Sequence, residues 1–484
     1  MAGFFVLKIA LIIPESSRID VLGRFSDTMT PLPNLGLPYI AAILEENGHK
    51  ILAIDQFAQK INHSQVLSLL RDFKPDLVGF SCLTAAMPSV EAMSALIRTD
   101  LPKTKIVLGN VHASVFHDYL IQKGVGDFIV HGEGESIIAQ LCEALECGES
   151  PEKIAGLSML RNGEAVYTGP APQIEDLDKL PFPAWHLFPY HLYECHPLFG
   201  VNGVCLPVIA SRGCPYSCFF CAQASAFNGV RVRSAQNVVD EMEYLVDRFN
   251  APMSGLADCM YPLTHKMGMD FCRQLIDRKL HKKLCWATEM RVDMAEPELL
   301  GIMKEANAIQ IAYGVESGNE AMLQRLGKKF KMEDARRAIA LTKQAGLSTC
   351  GFFVLGFPGE TSSSCWDTIR FAKELDLDFA KFNIAVPYPG TPFFDSWWDG
   401  KVEDMEYHKY NAWFSPQKGD SLLHVPEDMT QKELLRFQHL AMAAFWIRPS
   451  KIFQHFKNGT ISPKVMWKGF KAMILSMFDS FFRS

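Results

Sequence analysis

A chain of 484 residues with 48% hydrophobic residues, mean hydropathy +0.03 and a net charge of −6 is long enough for two to four domains with sizeable cores. The acidic balance argues against general nucleic-acid binding, which needs a positive field, and no run of 18 uncharged apolar residues offers a membrane-spanning helix. Thirteen cysteines, an odd and scattered set, do not read as a disulfide framework and fit a reducing cytoplasm.

The opening run, Met1 to Pro14, has the greasiness of a short signal segment. The Lys within it and the lack of a small-residue cleavage site favour a first buried strand instead. Short apolar runs at Ile9–Ile13, Ile51–Ile54, Leu77–Ser81, Ile106–Gly109 and Phe128–Val130 read as buried parallel strands. Helical patterns at Leu37–Asn47, Ser89–Ile97, Val115–Gln122 and Ser136–Leu145 separate them, with Gly48 as a C-terminal stop. This alternation predicts a doubly wound α/β sheet over residues 1–149, with ligands bound beyond the strand C-termini. The turns there read Ser81-Cys82-Leu83-Thr84, Gly109-Asn110-Val111-His112-Ala113 and His131-Gly132-Glu133-Gly134-Glu135. Neither a Gly-x4-Gly-Lys-Ser/Thr loop nor a Gly-x-Gly-x-x-Gly after the first strand is present, so the usual nucleotide-binding modes lack support.

Residues 150–206, with Leu180-Pro181-Phe182-Pro183-Ala184-Trp185 at their centre, read as an extended connector too apolar for a free tether. From Pro207 strand–helix alternation resumes, with strands at Pro207–Ala210, Ser254–Ala257, Cys285–Ala287, Ile309–Tyr313, Thr349–Val354 and Phe379–Ile384. Val238, Met242, Leu245 and Phe249 mark the clearest helix. Six such units over 207–395 predict a partial (β/α)6 barrel with its reactive centre at the strand C-terminal rim. Directly after the first of these strands comes Ser-Arg-Gly-Cys214-Pro-Tyr-Ser-Cys218-Phe-Phe-Cys221. Three thiolates on one short loop, with no fourth cysteine near in sequence, suit a cubane iron–sulfur cluster with one iron left open. Structural zinc is the bland alternative; it normally takes four ligands in separated pairs. Phe220 either packs in the core or shields the metal.

This Cys-x3-Cys-x-aromatic-Cys loop resembles that of the radical S-adenosylmethionine superfamily. Further segments match in order: Gly314-Val315-Glu316-Ser317-Gly318, Leu355-Gly356-Phe357-Pro358-Gly359-Glu360-Thr361 and Tyr388-Pro389-Gly390-Thr391-Pro392. The first 145 residues resemble the cobalamin-binding domain found upstream in one large subfamily, the class B methylase-like enzymes. Residues 132–135 match its Gly-Glu-Gly-Glu, and Asn110 replaces one glycine of Gly-Gly-x-His-Ala-Thr. The resemblance implies a Rossmann-like cobalamin domain followed by a TIM-type partial barrel, and a [4Fe–4S] cluster on Cys214, Cys218 and Cys221. It implies S-adenosylmethionine contacts from Phe220, Arg291, Glu316, Ser317 and Gly356, and cobalamin contacts from Ser81, Thr84, Gly109, His112, Gly132, Glu133 and Gly134. Cleavage of S-adenosylmethionine would then yield a 5′-deoxyadenosyl radical, the cofactors carrying the hard chemistry.

Bland readings stand beside several of these: Ser317 as a helix N-cap, Arg291 in a surface ion pair, each glycine as an ordinary turn. Asp258 sits where the family often has Asp-Asp, but Cys259 replaces the second, leaving its role open. Asp55-Gln56-Phe57-Ala58-Gln59-Lys60 lacks the His and Gly of the Asp-x-His-x-x-Gly that supplies a lower axial ligand in other cobalamin proteins, so no such His is expected. His112 is the rival for that position, or a turn residue bonding the corrin edge or the backbone.

Residues 396–484 read as a helical C-terminal region. From Phe445 onward seven Lys/Arg stand against one acid, Asp479, and Met466, Phe470, Met473, Met477 and Phe481 recur at helical spacing. Such a basic amphipathic helix fits either a packed lid or core helix, which is preferred, or peripheral contact with the inner face of a membrane. The expected activity is methylation of an unactivated carbon of a small-molecule or lipid-like substrate, fed by an electron donor such as flavodoxin or ferredoxin. Oxidative cyclisation with the same cofactors and a non-turnover sensor are the alternatives.

Overall fold

The computed structural model describes residues 6–15, 31–196, 199–223, 227, 229–410 and 420–449. The first half is a seven-stranded sheet in the order β2-β1-β3-β4-β5-β6-β7. Its first five strands, β1 (Lys8–Ile13), β2 (Lys50–Asp55), β3 (Leu77–Ser81), β4 (Lys105–Gly109) and β5 (Phe128–Val130), are parallel and match the expected runs within a residue. β3 is buried along its whole length, the condition under which a strand reads as an unbroken apolar run. Helices cover both faces and make two cores, one under Gly36–Glu46 and Gly134–Cys147, the other under His63–Phe73 and Met87–Asp100.

Two features depart from expectation. The helix His63–Phe73 goes unread because only Val66, Leu67 and Leu70 are buried in a largely polar segment; an Asn62/Gln65 capping box fixes its start. The stretch expected as an extended connector begins with a hairpin, β6 (Leu157–Arg161) and β7 (Glu164–Tyr167), which adds antiparallel to β5. Beyond it, Trp185 and Tyr193 are fully buried, and the Tyr193 hydroxyl donates to Asp55 at 2.8 Å.

The second half opens with a short antiparallel ribbon, β8 (Ser211–Arg212) and β9 (Arg231–Val232), that brackets the cysteine loop. There follows a parallel five-stranded sheet of β10 (Met253–Gly255), β11 (Cys285–Met290), β12 (Ala308–Glu316), β13 (Ser348–Leu355) and β14 (Phe379–Ile384). The first expected barrel strand, Pro207–Ala210, forms no ladder; its region touches the β10 edge through isolated parallel bridges, Cys205–Met253 and Val208–Leu256. The curled sheet is thus a partial barrel with six passes, the first reduced to two bridges. Ser234 caps the helix Ala235–Phe249, whose Val238, Met242, Leu245 and Phe249 face the core as the spacing predicts.

Past the barrel, the helix Gln431–Trp446 starts on a Thr430/Glu433 capping box and lies against the helix Ser362–Glu374, with Phe437 meeting Trp366 at 5.6 Å. The amphipathic pattern at Met466–Phe481 lies outside the described residues. Among those described, no helix is long and apolar enough to cross a membrane.

Candidate functional site

The cysteine loop leaves β8 through Gly213 and returns to β9 after Gly229, both at positive φ. Its middle is pinned to the barrel rim by main-chain bonds: Phe219 N–H donates to Leu326 O at 3.1 Å, and Phe393 N–H to Phe219 O at 3.0 Å. Phe219 stacks on Phe393 at 5.4 Å, and Phe220 leans on Phe357 at 5.2 Å. Both readings of Phe220 therefore share one location, an aromatic wall beside the thiols. Cys214, Cys218 and Cys221 are partly exposed free thiols. Burial pushes the Cys218 and Cys221 thiols up, neighbouring loop thiols push them further, and Lys328 draws both back down. The donor set is all sulfur, as an iron–sulfur cluster requires; among the described residues no three His, Cys, Asp or Glu are gathered as for a single metal ion.

Spatial proximity also brings in Cys259, which no spacing pattern flags. Burial pushes its thiol up to about 12, and Cys214, Cys221 and Asp258 add to the rise. Asp258 itself anchors the loop's base: it accepts from Ala210 N–H at 2.9 Å and from the Ser211 hydroxyl, while burial raises its carboxyl to about 6.

Around the loop the rim residues divide. Glu316 holds a left-handed φ of 66° at a bulge in β12, and its carboxylate pairs with buried Lys328 at 2.9 Å. Lys328 also donates to Gly314 O at 3.2 Å and lies 5.6 Å from the Phe220 ring. Strained backbone and a buried ion pair beside a reactive loop are marks of a functional site. Ser317 points inward, 3.2 Å from Thr368 Oγ1, and the N-cap of the following helix is Asn319, not Ser317. Arg291 is held bidentately by Asp293 at 2.8 and 2.9 Å and lies 3.7 Å from the Tyr216 ring, so its fork is occupied while its face covers the cysteine loop. Gly356 has φ 93°, and its N–H and that of Phe357 donate to Glu360, whose carboxyl burial lifts to about 7. Thr361 caps the next helix.

Alternation along β11 sends Trp286 and Met290 into the main core and Cys285, Ala287 and Glu289 to the concave side. There Glu289 and Lys381 of β14 are open to solvent although protein surrounds them. Burial raises the Glu289 carboxyl, Lys381 and Lys328 oppose the rise, and Glu316 adds to it. The Lys381 ammonium lies 5.2 Å from the Phe352 ring. Sequence reasoning passes over both residues, yet a charge at an inward position of an apolar strand is a legible signal.

In the first half, the turns after β3, β4 and β5 come together at the sheet's C-terminal edge. Ser81 accepts from Asn110 Nδ2 at 3.1 Å and from Asn34 Nδ2 at 3.3 Å. Asn110 takes φ 82°, a conformation that suits the glycine it replaces and that Asn tolerates better than most residues. A Cβ at Gly109 or Gly132 would meet nothing within 4 Å, leaving room for a large ligand, whereas Gly134 is packed against Ile40. His112 is buried, its Nδ1 3.1 Å from Thr84 Oγ1, between the rings of Phe116 (4.7 Å) and Tyr407 (5.7 Å). Burial lowers its pKa to about 3, and its Nε2 is an orphaned polar atom. Glu133 is committed elsewhere, to Arg212 and Arg231.

A doubly wound domain with an open turn edge is thus joined to a partial barrel with a three-thiol loop at its rim. Residues 27–142 match the B12 binding domain and residues 208–372 the Radical SAM superfamily. An uncharacterised methyltransferase of Pyrococcus horikoshii is 30% identical over 93% of this chain and 95% of its own. The anaerobic magnesium-protoporphyrin IX monomethyl ester cyclase of Cereibacter sphaeroides is 31% identical over 83% of this chain and 65% of its own. The radical S-adenosylmethionine methyltransferase TsrM of Kitasatospora setae, solved with cobalamin and a [4Fe–4S] cluster, shares the fold: TM-score 0.68, 17% identity, 92% of this chain and 90% of that one. The chain belongs to the radical S-adenosylmethionine superfamily, in the branch with an N-terminal B12-binding domain. It is an enzyme, and its cofactors are cobalamin, a [4Fe–4S] cluster and S-adenosylmethionine.

Proposed function

We propose that the enzyme methylates an unactivated carbon of a small molecule. The observations that support this reading are the 30% identity to the uncharacterised methyltransferase over nearly the whole of both chains and the direct bonding of the thiol-loop ribbon to the Gly132–Glu135 turn. Cys214, Cys218 and Cys221 hold the cluster. Phe220, Gly356 and the Glu316–Lys328 pair line the place for S-adenosylmethionine, with Arg291 keeping the loop in position through Tyr216. Ser81, Thr84, Gly109, Gly132 and Gly134 form the cobalamin edge, and His112 braces it from within. When bound, these cofactors supply a 5′-deoxyadenosyl radical and a transferable methyl group. The chain's own residues bind, orient and exclude water: the wall of Phe219, Phe220, Phe357 and Phe393 screens the loop, and the Lys328 ammonium offsets negative charge beside it.

Glu289 and Lys381 inside the barrel favour a polar small molecule over a lipid, since burying either charge against hydrocarbon is costly. An electron donor of the flavodoxin or ferredoxin type would feed the cluster. The 31% identity to the magnesium-protoporphyrin cyclase supports a second reading, oxidative cyclisation with the same cofactors.

The experiment is anaerobic reconstitution followed by incubation with S-adenosylmethionine carrying a deuterated methyl group, a reductant and a small-molecule extract. A product bearing the labelled methyl supports methylation, and a hydrogen-depleted product without label supports cyclisation. A Cys214/Cys218/Cys221→Ala variant that still releases 5′-deoxyadenosine would remove the cluster assignment altogether.

A further inference from the structure

Two motifs from opposite halves of the chain, Gly132-Glu133-Gly134-Glu135 and Ser211-Arg212-Gly213-Cys214, bond directly to each other. Arg212 Nη1 donates to Glu133 Oε1 at 2.8 Å and Arg212 Nη2 to Glu135 Oε1. Arg231 Nη1 donates to Glu133 Oε2 at 2.6 Å and to Ile174 O at 2.7 Å, and Ile174 N–H completes the ring by donating to Glu133 Oε2 at 2.9 Å. Arg212, Glu133 and Glu135 are each at least nine-tenths buried. The Arg212 guanidinium also lies 5.5 Å from the ring of Tyr39, on the helix Gly36–Glu46 of the cobalamin half.

Arg212 and Arg231 are direct cross-strand partners in the β8–β9 ribbon. Like charges opposite each other destabilise such a pair, and burying two guanidinium groups without anions costs several kcal/mol each. The ribbon that brackets the cysteine loop is therefore stabilised by carboxylates from the cobalamin half, which offset both arginines. Burial alone would raise Glu133, but hydrogen bonds from Arg231, Arg212 and Ile174 N–H outweigh it and hold the carboxyl below its ordinary value.

We propose that Glu133, Glu135, Arg212 and Arg231 are positioning residues that lock the cobalamin turn to the cluster ribbon, so that each cofactor stabilises the seating of the other. The clamp accounts for Glu133 as a bridge to the cluster side. It rests on the two cofactor assignments but not on methylation, and its test counts iron and cobalt, not product.

The test uses the full chain, anaerobically reconstituted with and without hydroxocobalamin. Iron loss to the chelator bathophenanthroline is followed by absorbance, and hydroxocobalamin affinity is measured with and without the cluster. Coupling between sites is reciprocal. The cluster should tighten hydroxocobalamin binding at least about fivefold, and hydroxocobalamin should slow iron loss. In Glu135→Gln, which keeps the shape but loses the charge of the second bond, and in Arg212→Lys, which keeps the charge but loses the fork, both effects should shrink toward unity. Wild-type protein whose iron loss ignores hydroxocobalamin overturns the proposal, as does a folded variant that keeps the full coupling. If neither variant folds, the wild-type reciprocity decides alone.

Discussion

Gly213 and Gly229 face each other in the cluster ribbon at φ 89° and 83°, and they make opposite predictions. A Cβ at Gly213 would press into the Gly229 carbonyl oxygen, which is main chain and cannot swing aside, whereas a Cβ at Gly229 would meet nothing within 4 Å. Gly229→Ala thus carries only the left-handed strain, about 1–2 kcal/mol. Gly213→Ala carries the same strain plus the loss of the ribbon's ladder bonds, about 1 kcal/mol each, for a total of about 3–4 kcal/mol. That is two to three orders of magnitude, roughly, in the population of the closed ribbon. In anaerobic reconstitution, Gly213→Ala should take up little iron while still binding hydroxocobalamin, and Gly229→Ala should keep most of its cluster. Equal iron in Gly213→Ala and wild type, or equal loss in both variants, would refute the reasoning.

Lys328→Met should leave Glu316 buried without its partner and cost about 3–5 kcal/mol, read as a lower melting temperature and weaker S-adenosylmethionine binding. Adding Glu316→Gln to it should restore part of the melting temperature. The Glu360 carboxyl, raised to about 7, contributes stability that is complete below its unfolded value and is lost as pH rises through 7. Glu360→Gln should therefore gain on wild type by about 1–2 kcal/mol between pH 5.5 and 8.5, checked by thermal unfolding at the two pH values. Burial also raises Glu289, so the acid limb of the substrate-dependent rate should lie above the ordinary glutamate range and vanish in Glu289→Gln; a limb unchanged by the substitution would remove Glu289 from the pocket.

The sequence by itself made most strands legible, and through its resemblance to a known family it pointed to the cofactors. Short, mostly apolar runs such as Leu77–Ser81, bounded by turn residues, read as strands buried on both faces, and three cysteines within eight residues carry their chemistry in their spacing. It also made legible the glycine turns, because backbone at φ above zero or beside a ligand leaves its mark in residue type. What tertiary structure decided was the partner of each polar group. Ser317 bonds Thr368 and leaves the helix cap to Asn319, Arg291 is claimed by Asp293 and Tyr216, and Glu133 turns from the corrin edge to two arginines. Cys259 joins the thiol loop from another strand end, and Glu289 and Lys381 meet across the barrel interior, though neither association has a signature in spacing. The physical reason is range: backbone propensity and hydrophobic period act over a few residues and are written locally. Bonds such as Arg212–Glu133, Arg231–Glu133 and Ser317–Thr368 join groups 79, 98 and 51 residues apart and exist only once the chain has brought them together.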